Sequence, residues 1–191
     1  MDYCSLTDRM SNRREWLGAG LLALGCSKRK ALPIFNSVPP FRLISQSGTS
    51  FDSVSLRGAP WLASFFFASC NGPCPRMNTA IHDLQEQTYN FKGLKIVSFT
   101  VDPEHDTPEI LAAYAKRYKA DPARWFFLTG ERSAISAVAR DGFQVGALDT
   151  AQSHSTRILL VDGENRVRGH FPEAEKEALL AGIAVVYEEG K

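Results

Sequence analysis

The chain has no run of about eighteen uncharged apolar residues, so nothing in it reads as a membrane-spanning helix. It has no surplus of either charge: Lys plus Arg number 22, Asp plus Glu 21, and the formal net charge is +1. That balance gives no electrostatic reason to expect nucleic acid as a partner. Cysteine is scarce, four in 191 residues, too few for a small fold built on disulfides. No internal repeat and no low-complexity tract is present. With 44% hydrophobic and 23% charged residues, a disordered chain, a collagen-like repeat and a coiled-coil rod are excluded. What is left is one globular domain, or a small one with a tail.

The first residues read as an address. Arg9, Arg13 and Arg14 make a positive start, and 16–24 is an apolar stretch too short to span a bilayer. The Arg13-Arg14 pair, followed by Glu15, Trp16 and Leu17, resembles a twin-arginine export signal. Leu22-Ala23-Leu24-Gly25-Cys26 resembles a bacterial lipoprotein box, with Ala23 where Leu is commoner. Residues 1–25 are therefore expected to be an export signal, with Cys26 as the lipid anchor. Residues 26–40, rich in Lys, Arg and Pro, read as a tether, and 41–191 as the globular domain.

Within that domain 41–52 reads as a hairpin turning at Gly48, and the apolar run 61–67 as a buried central strand. Met77, Ile81, Leu84 and Thr88 then recur at helical spacing. A second strand is expected over 94–101. A helix should follow it, capped by Thr107 with Pro108 at its first position and Ile110, Leu111, Tyr114 and Tyr118 on one face. A third strand over 124–128, a helix over 131–140, a hairpin over 156–171 and a last helix over 173–188 complete the pattern. Its fold class is α/β: a central mixed β-sheet flanked by helices with an N-terminal β-hairpin, which fits a thioredoxin-like architecture.

Export would remove Cys4 and acylate Cys26, leaving Cys70 and Cys74 as the only free thiols. In an oxidising compartment such a pair is a disulfide, a redox couple or a metal site. A structural disulfide would close a very short loop and remove little unfolded-state entropy. At the mouth of a helix, the positive end of the helix dipole should favour thiolate over thiol. Thiolates are soft ligands that select Cu(I), zinc or iron–sulfur centres, and one added imidazole also suits Cu(II).

Three segments carry a resemblance. Phe65 to Pro75, with Cys70-Asn71-Gly72-Pro73-Cys74 at its centre, resembles the signature of the SCO/SenC family of thioredoxin-like copper proteins. Phe99 to Pro108 resembles that family's second motif, and Ser153-His154-Ser155-Thr156 with 159–162 resembles the segment bearing its copper-ligand histidine. The likeness covers roughly 41–190. It implies that Cys70, Cys74 and His154 are copper ligands. It further implies a metallochaperone on the outer face of the cytoplasmic membrane. Such a protein delivers copper to the copper-receiving subunit of cytochrome c oxidase, at its binuclear copper centre. Asn71 stands where the family usually has Pro, and Ser153 where it often has Asp, a partner for the imidazole.

The rival reading is a thiol–disulfide oxidoreductase with Cys70 and Cys74 as the catalytic redox pair, keeping the oxidase cysteines reduced; a thioredoxin-like reductant would be its partner. Three residues between the cysteines, rather than two, argue against an ordinary thioredoxin-like reductase. So does Ser153-His154 where a cis-proline would stand. The local motif of a peroxiredoxin-like peroxidase is missing. Of the other histidines, His82 lies off the apolar stripe and is expected in solvent, His105 is expected exposed and His170 structural. Asp102 and Asp106 read as strand-end and helix-start residues rather than as a catalytic acid pair.

Overall fold

The computed structural model describes residues 31–145 and 157–190. Among them the chain forms β1 (Arg42–Ser45), β2 (Ser50–Asp52), β3 (Trp61–Phe66), α1 (Cys74–Gln87), β4 (Lys95–Thr100), α2 (Pro108–Arg117), β5 (Trp125–Thr129), α3 (Arg132–Ala137), β6 (Arg157–Val161), β7 (Val167–Pro172) and α4 (Lys176–Glu189). The strands make one mixed sheet in the order β2-β1-β5-β4-β3-β6-β7. β3, β4 and β5 run parallel, with Phe65 opposite Phe99 and Phe99 opposite Leu128. Both flanking hairpins pair antiparallel onto that centre.

Every residue of β3 is buried, which is why it reads as a continuous apolar run rather than an alternating one. One face of the sheet packs Trp61, Phe65 and Phe99 against α3 and the turn that follows it, through Ile135, Val138 and Ala139. The other packs Leu62, Phe66, Ile96 and Phe127 against α1, α2 and α4 through Met77, Ile81, Leu84, Leu111, Tyr114, Ile183 and Val186. Two buried serines and a tryptophan of this core pair with one another: Ser64 Oγ shares a 2.8 Å bond with Ser98 Oγ, which accepts Trp125 Nε1–H at 2.9 Å.

The expected elements are all present, with differences at their edges. Gly48 takes the positive φ its turn requires. On α2 the buried face is Leu111, Tyr114 and Ala115, while Ile110 points outward and is 45% exposed. α3 is shorter than its pattern suggests, because the chain widens into a π turn over Val138–Gly142. α4 begins at Lys176, after a turn closed by Glu175 N–H on Pro172 O.

Of the stretch read as a tether, residues 31–40 lie against the domain. Phe35 N–H donates to Val167 O, Val167 N–H to Asn36 O and Val38 N–H to Asn165 O, so this segment covers the free edge of β7. Val38 is buried. Arg168, buried at 4% exposure, donates to Leu32 O at 2.8 Å and Pro33 O at 3.2 Å. A tether cannot be told by composition from a covering strand, since both are Pro- and Lys-rich and neither needs an apolar period.

Candidate metal and redox site

β3 delivers the chain at its C-terminal end into a loop, and α1 begins at Cys74. Pro73 and Pro75 bracket that start; proline suits a first turn, where its missing N–H is not needed. Cys70 N–H donates to Phe67 O at 3.2 Å, folding the loop back so that Cys70 lies beside the helix start. Gly72 sits under Cys70, where a Cβ would lie 3.8 Å from Sγ, an ordinary contact.

Both cysteines are free thiols, 7% and 1% exposed, in the same apolar cluster as Phe66, Met77, Leu111 and Tyr114. Burial pushes the Cys74 thiol up to about 12, and its hydrogen bond with Cys70 adds to the rise. Backbone contacts from Phe67 and Cys74 itself pull the other way without prevailing. The thiolate expected from the helix dipole is therefore not the resting form of Cys74. The dipole acts over one turn and is worth little against the cost of an anion in an apolar cluster.

Two polar contacts that sequence reading missed support the pair. Asp106, 2% exposed, accepts Ala68 N–H at 3.0 Å and the Thr100 hydroxyl. It thus ties the end of β4 to the loop two residues before Cys70. Burial pushes its carboxyl up, and the bonds from Thr100 and Ala68 only partly offset this. The signal was available: Thr107 already caps α2, so the acid before it had no local task left. Asn78, one turn after Cys74 and fully buried, donates from Nδ2 to Tyr114 Oη at 2.9 Å. Tyr114 in turn stacks on Phe66 at 5.0 Å, and burial raises its hydroxyl well above the usual range.

The other candidates separate. Asp102 holds His105 Nδ1 at 2.9 Å and leaves the ring exposed, which raises the imidazole pKa. Arg132 bridges Glu104 at 3.2 Å. His82 is not in open solvent: it is half-buried, and its Nδ1 is enclosed without a hydrogen-bond partner among the described residues. Its neighbours one turn away, Asn78 and Gln85, bond to Tyr114 and to Lys119 O, so this side of α1 runs along α2, which the helix period alone does not foresee. His170 packs edge-on against Phe35 at 5.2 Å, and desolvation, helped by Arg157, lowers its pKa. His154, Cys4 and Cys26 lie outside the described residues.

The donor set suits a soft metal. Two buried sulfurs lie in one apolar cluster that also holds the thioether of Met77. A mixed sheet with a buried cysteine pair at the mouth of its first long helix defines the class: a thioredoxin-like domain. The family model described as SCO1/SenC matches residues 31–187, and the chain belongs to that family.

A SCO1 protein homolog of Bacillus subtilis is 37% identical over 114 residues, covering 59% of each chain. The chain thus spans less than two thirds of that relative. Among solved structures, a SCO1/SenC family lipoprotein of Bacillus anthracis aligns with a TM-score of 0.75 at 26% identity, covering 82% of this chain and 99% of that one. BsSco, a member of the Sco family of cytochrome c oxidase assembly proteins in which a disulfide switch was identified, aligns at 0.73 and 27%, covering 83% and 98%. Copper-bound ScoI of Bradyrhizobium japonicum aligns at 0.65 and 25%, covering 79% and 98%.

Proposed function

We propose that this protein is a copper metallochaperone of cytochrome c oxidase assembly, with Cys70 and Cys74 as its thiolate ligands and His154 as the third. The observation that carries the reading is the pair of free thiols buried together in one apolar cluster at the start of α1. Copper is the cargo. Binding Cu(I) takes the two thiol protons to solvent and replaces two buried S–H groups with a centre of net charge −1, one charge less than two bare thiolates would place there. This is how a site that resists thiolate on its own accepts it with metal. Asp106 holds the Cys70 loop and α1 fixes Cys74, so the sulfurs need little reorganisation. Transfer follows by ligand exchange, as thiolates of the receiving subunit replace Cys70 and Cys74 one at a time. The copper-bound and oxidase-assembly relatives support the reading.

In the same reading the domain works on the outer face of the cytoplasmic membrane, exported and held through acylated Cys26. The lipoprotein relative supports that location.

The test is a copper titration of the reduced protein beside the Cys70→Ala/Cys74→Ala variant, with absorption followed in the thiolate-to-Cu(II) region. One stoichiometric site lost in the variant is the expected result. His154→Ala should weaken Cu(II) by tenfold or more and Cu(I) far less, because Cu(I) tolerates two thiolates (about 1.4 kcal/mol per tenfold). Equal loss of both would remove His154 from the ligand set.

Two free thiols in one cluster also favour a second reading, thiol–disulfide exchange. There Cys70 and Cys74 give up two protons and two electrons and close a disulfide, while a partner's disulfide becomes two thiols, and a thioredoxin-like reductant restores the pair. No copper binding together with rapid exchange would select it.

A further inference from the structure

Metal binding sets a charge problem at the cysteine pair. Two thiolates around Cu(I) bring net negative charge into an apolar cluster, where an anion is costly without donors. The backbone contacts at Phe67 and Cys74 are already in place and do not offset the burial of the Cys74 thiol. Other buried side-chain donors around the cluster are committed. Trp125 Nε1–H goes to Ser98 Oγ at 2.9 Å, the Thr100 hydroxyl to Asp106, and Asn78 Nδ2 to Tyr114 Oη at 2.9 Å.

Tyr114 is placed differently. It is buried in the same cluster as both cysteines. Its ring is fixed on two sides, stacked on Phe66 at 5.0 Å and edge-on to Phe127 at 5.8 Å. Its oxygen is held by Asn78, one turn after Cys74 on α1, and helix residues four apart are neighbours. The hydroxyl is thus tied to the turn of α1 that carries Cys74. Asn78 approaches with an N–H, so it takes a lone pair of the phenol oxygen and leaves the phenol proton free to be given. Burial is the main reason that this proton is held tightly; Tyr118 and charge at Cys74 add to it, which sets the three groups within electrostatic reach of one another. Tyr118, its ring 4.9 Å away, is the neutral acceptor for that proton. A thiolate accepts more strongly than a neutral phenol does.

We propose that Tyr114 is the hydrogen-bond donor to the Cys74 sulfur in the metal-bound state, and that Asn78 is the residue that positions it. The proposal rests on copper binding at Cys70 and Cys74. When the Cys74 proton leaves for solvent on metal binding, the phenol keeps its own proton and turns it from Tyr118 to the sulfur. The donor draws charge from the sulfur and lowers the energy of its lone pairs, as hydrogen bonds around a cysteine ligand do in other copper–thiolate sites. A sulfur held in this way is also a slower one to give up its cargo.

The experiment is a copper titration of the full, reduced chain beside Tyr114→Phe, reading both the affinity and the wavelength of the thiolate-to-Cu(II) band. Tyr114→Phe keeps the ring and its stacking and removes only the hydroxyl. The band should move to longer wavelength, and the affinity should fall about tenfold. Asn78→Ala keeps the hydroxyl but not its tie, so it should move the band the same way by less; it also carries the test should Tyr114→Phe fail to fold. Tyr118→Phe should leave the band in place. A merely structural role for Tyr114 would lower the melting temperature without moving the band. Unsubstituted protein that gives no such band overturns the copper reading and this proposal with it. A band that is present overturns the proposal alone if it stays unmoved in Tyr114→Phe or Asn78→Ala, or moves as far in Tyr118→Phe.

Discussion

Cys74 and Asp106 show opposite uses of burial. The thiol is kept protonated in an apolar cluster; the carboxyl is buried to hold backbone. Asp106→Ala leaves Ala68 N–H without its acceptor, which costs about 1–3 kcal/mol. Asp106→Asn should cost less, because the amide oxygen still accepts one bond. Thermal unfolding of the two variants checks the order. Faster alkylation of Cys70 in Asp106→Ala would show that the loop as well as the stability has loosened. Cys70 and Cys74 were legible in the sequence because their spacing and the helix start are local facts. Asp106, Asn78 and the Cys74 protonation state were not, because each depends on a neighbour far along the chain.

At the level of elements, the covering segment before β1 departs most from expectation. Arg168 is its main fastening. Arg168→Ala unpairs two carbonyls and removes one partner of Asp162, while Arg166 keeps its 2.7 Å bond to that carboxylate. About 3 kcal/mol of stability should go, the lower end for a broken buried pair. Hydrogen exchange gives the sharper reading. The Phe35 and Val167 amides should lose protection while amides of β3 and β4 keep theirs. Uniform loss across the sheet would mean that the segment is integral to the core rather than fastened onto it.

For the molecule as a whole, pH acts from two ends. Cys74 has a folded pKa of about 12 against an ordinary 9.0, so the folded state holds a proton that the unfolded chain has given up between those values. Its contribution is complete below 9.0 and is lost as pH rises toward 12. At Asp162 burial works to raise the pKa, but hydrogen bonds from Arg166 and Arg168 outweigh it and the carboxyl lies below its ordinary 3.8. That contribution is complete above 3.8 and falls away as pH drops through the lowered value. Denaturant unfolding of the reduced, metal-free protein should thus lose stability at both ends. Copper should remove the Cys74 share of the alkaline loss and leave that of buried Tyr114, since a metal-bound thiolate has no proton left to release.

Local chemistry settled the order of elements, the all-buried strand β3, the cap at Thr107 and the cysteine pair at the mouth of α1. Periodicity, turn residues and spacing act over a few residues, and those are readable along a chain. The tertiary structure alone decided that the segment at 31–40 covers an edge and that Ile110 faces outward. It alone decided that an acid from the second motif grips the loop of the first, and that Cys74 is a buried thiol rather than a thiolate. Each of these is a matter of what lies opposite in space. Burial and pairing across the sheet are set by contacts between residues tens of positions apart.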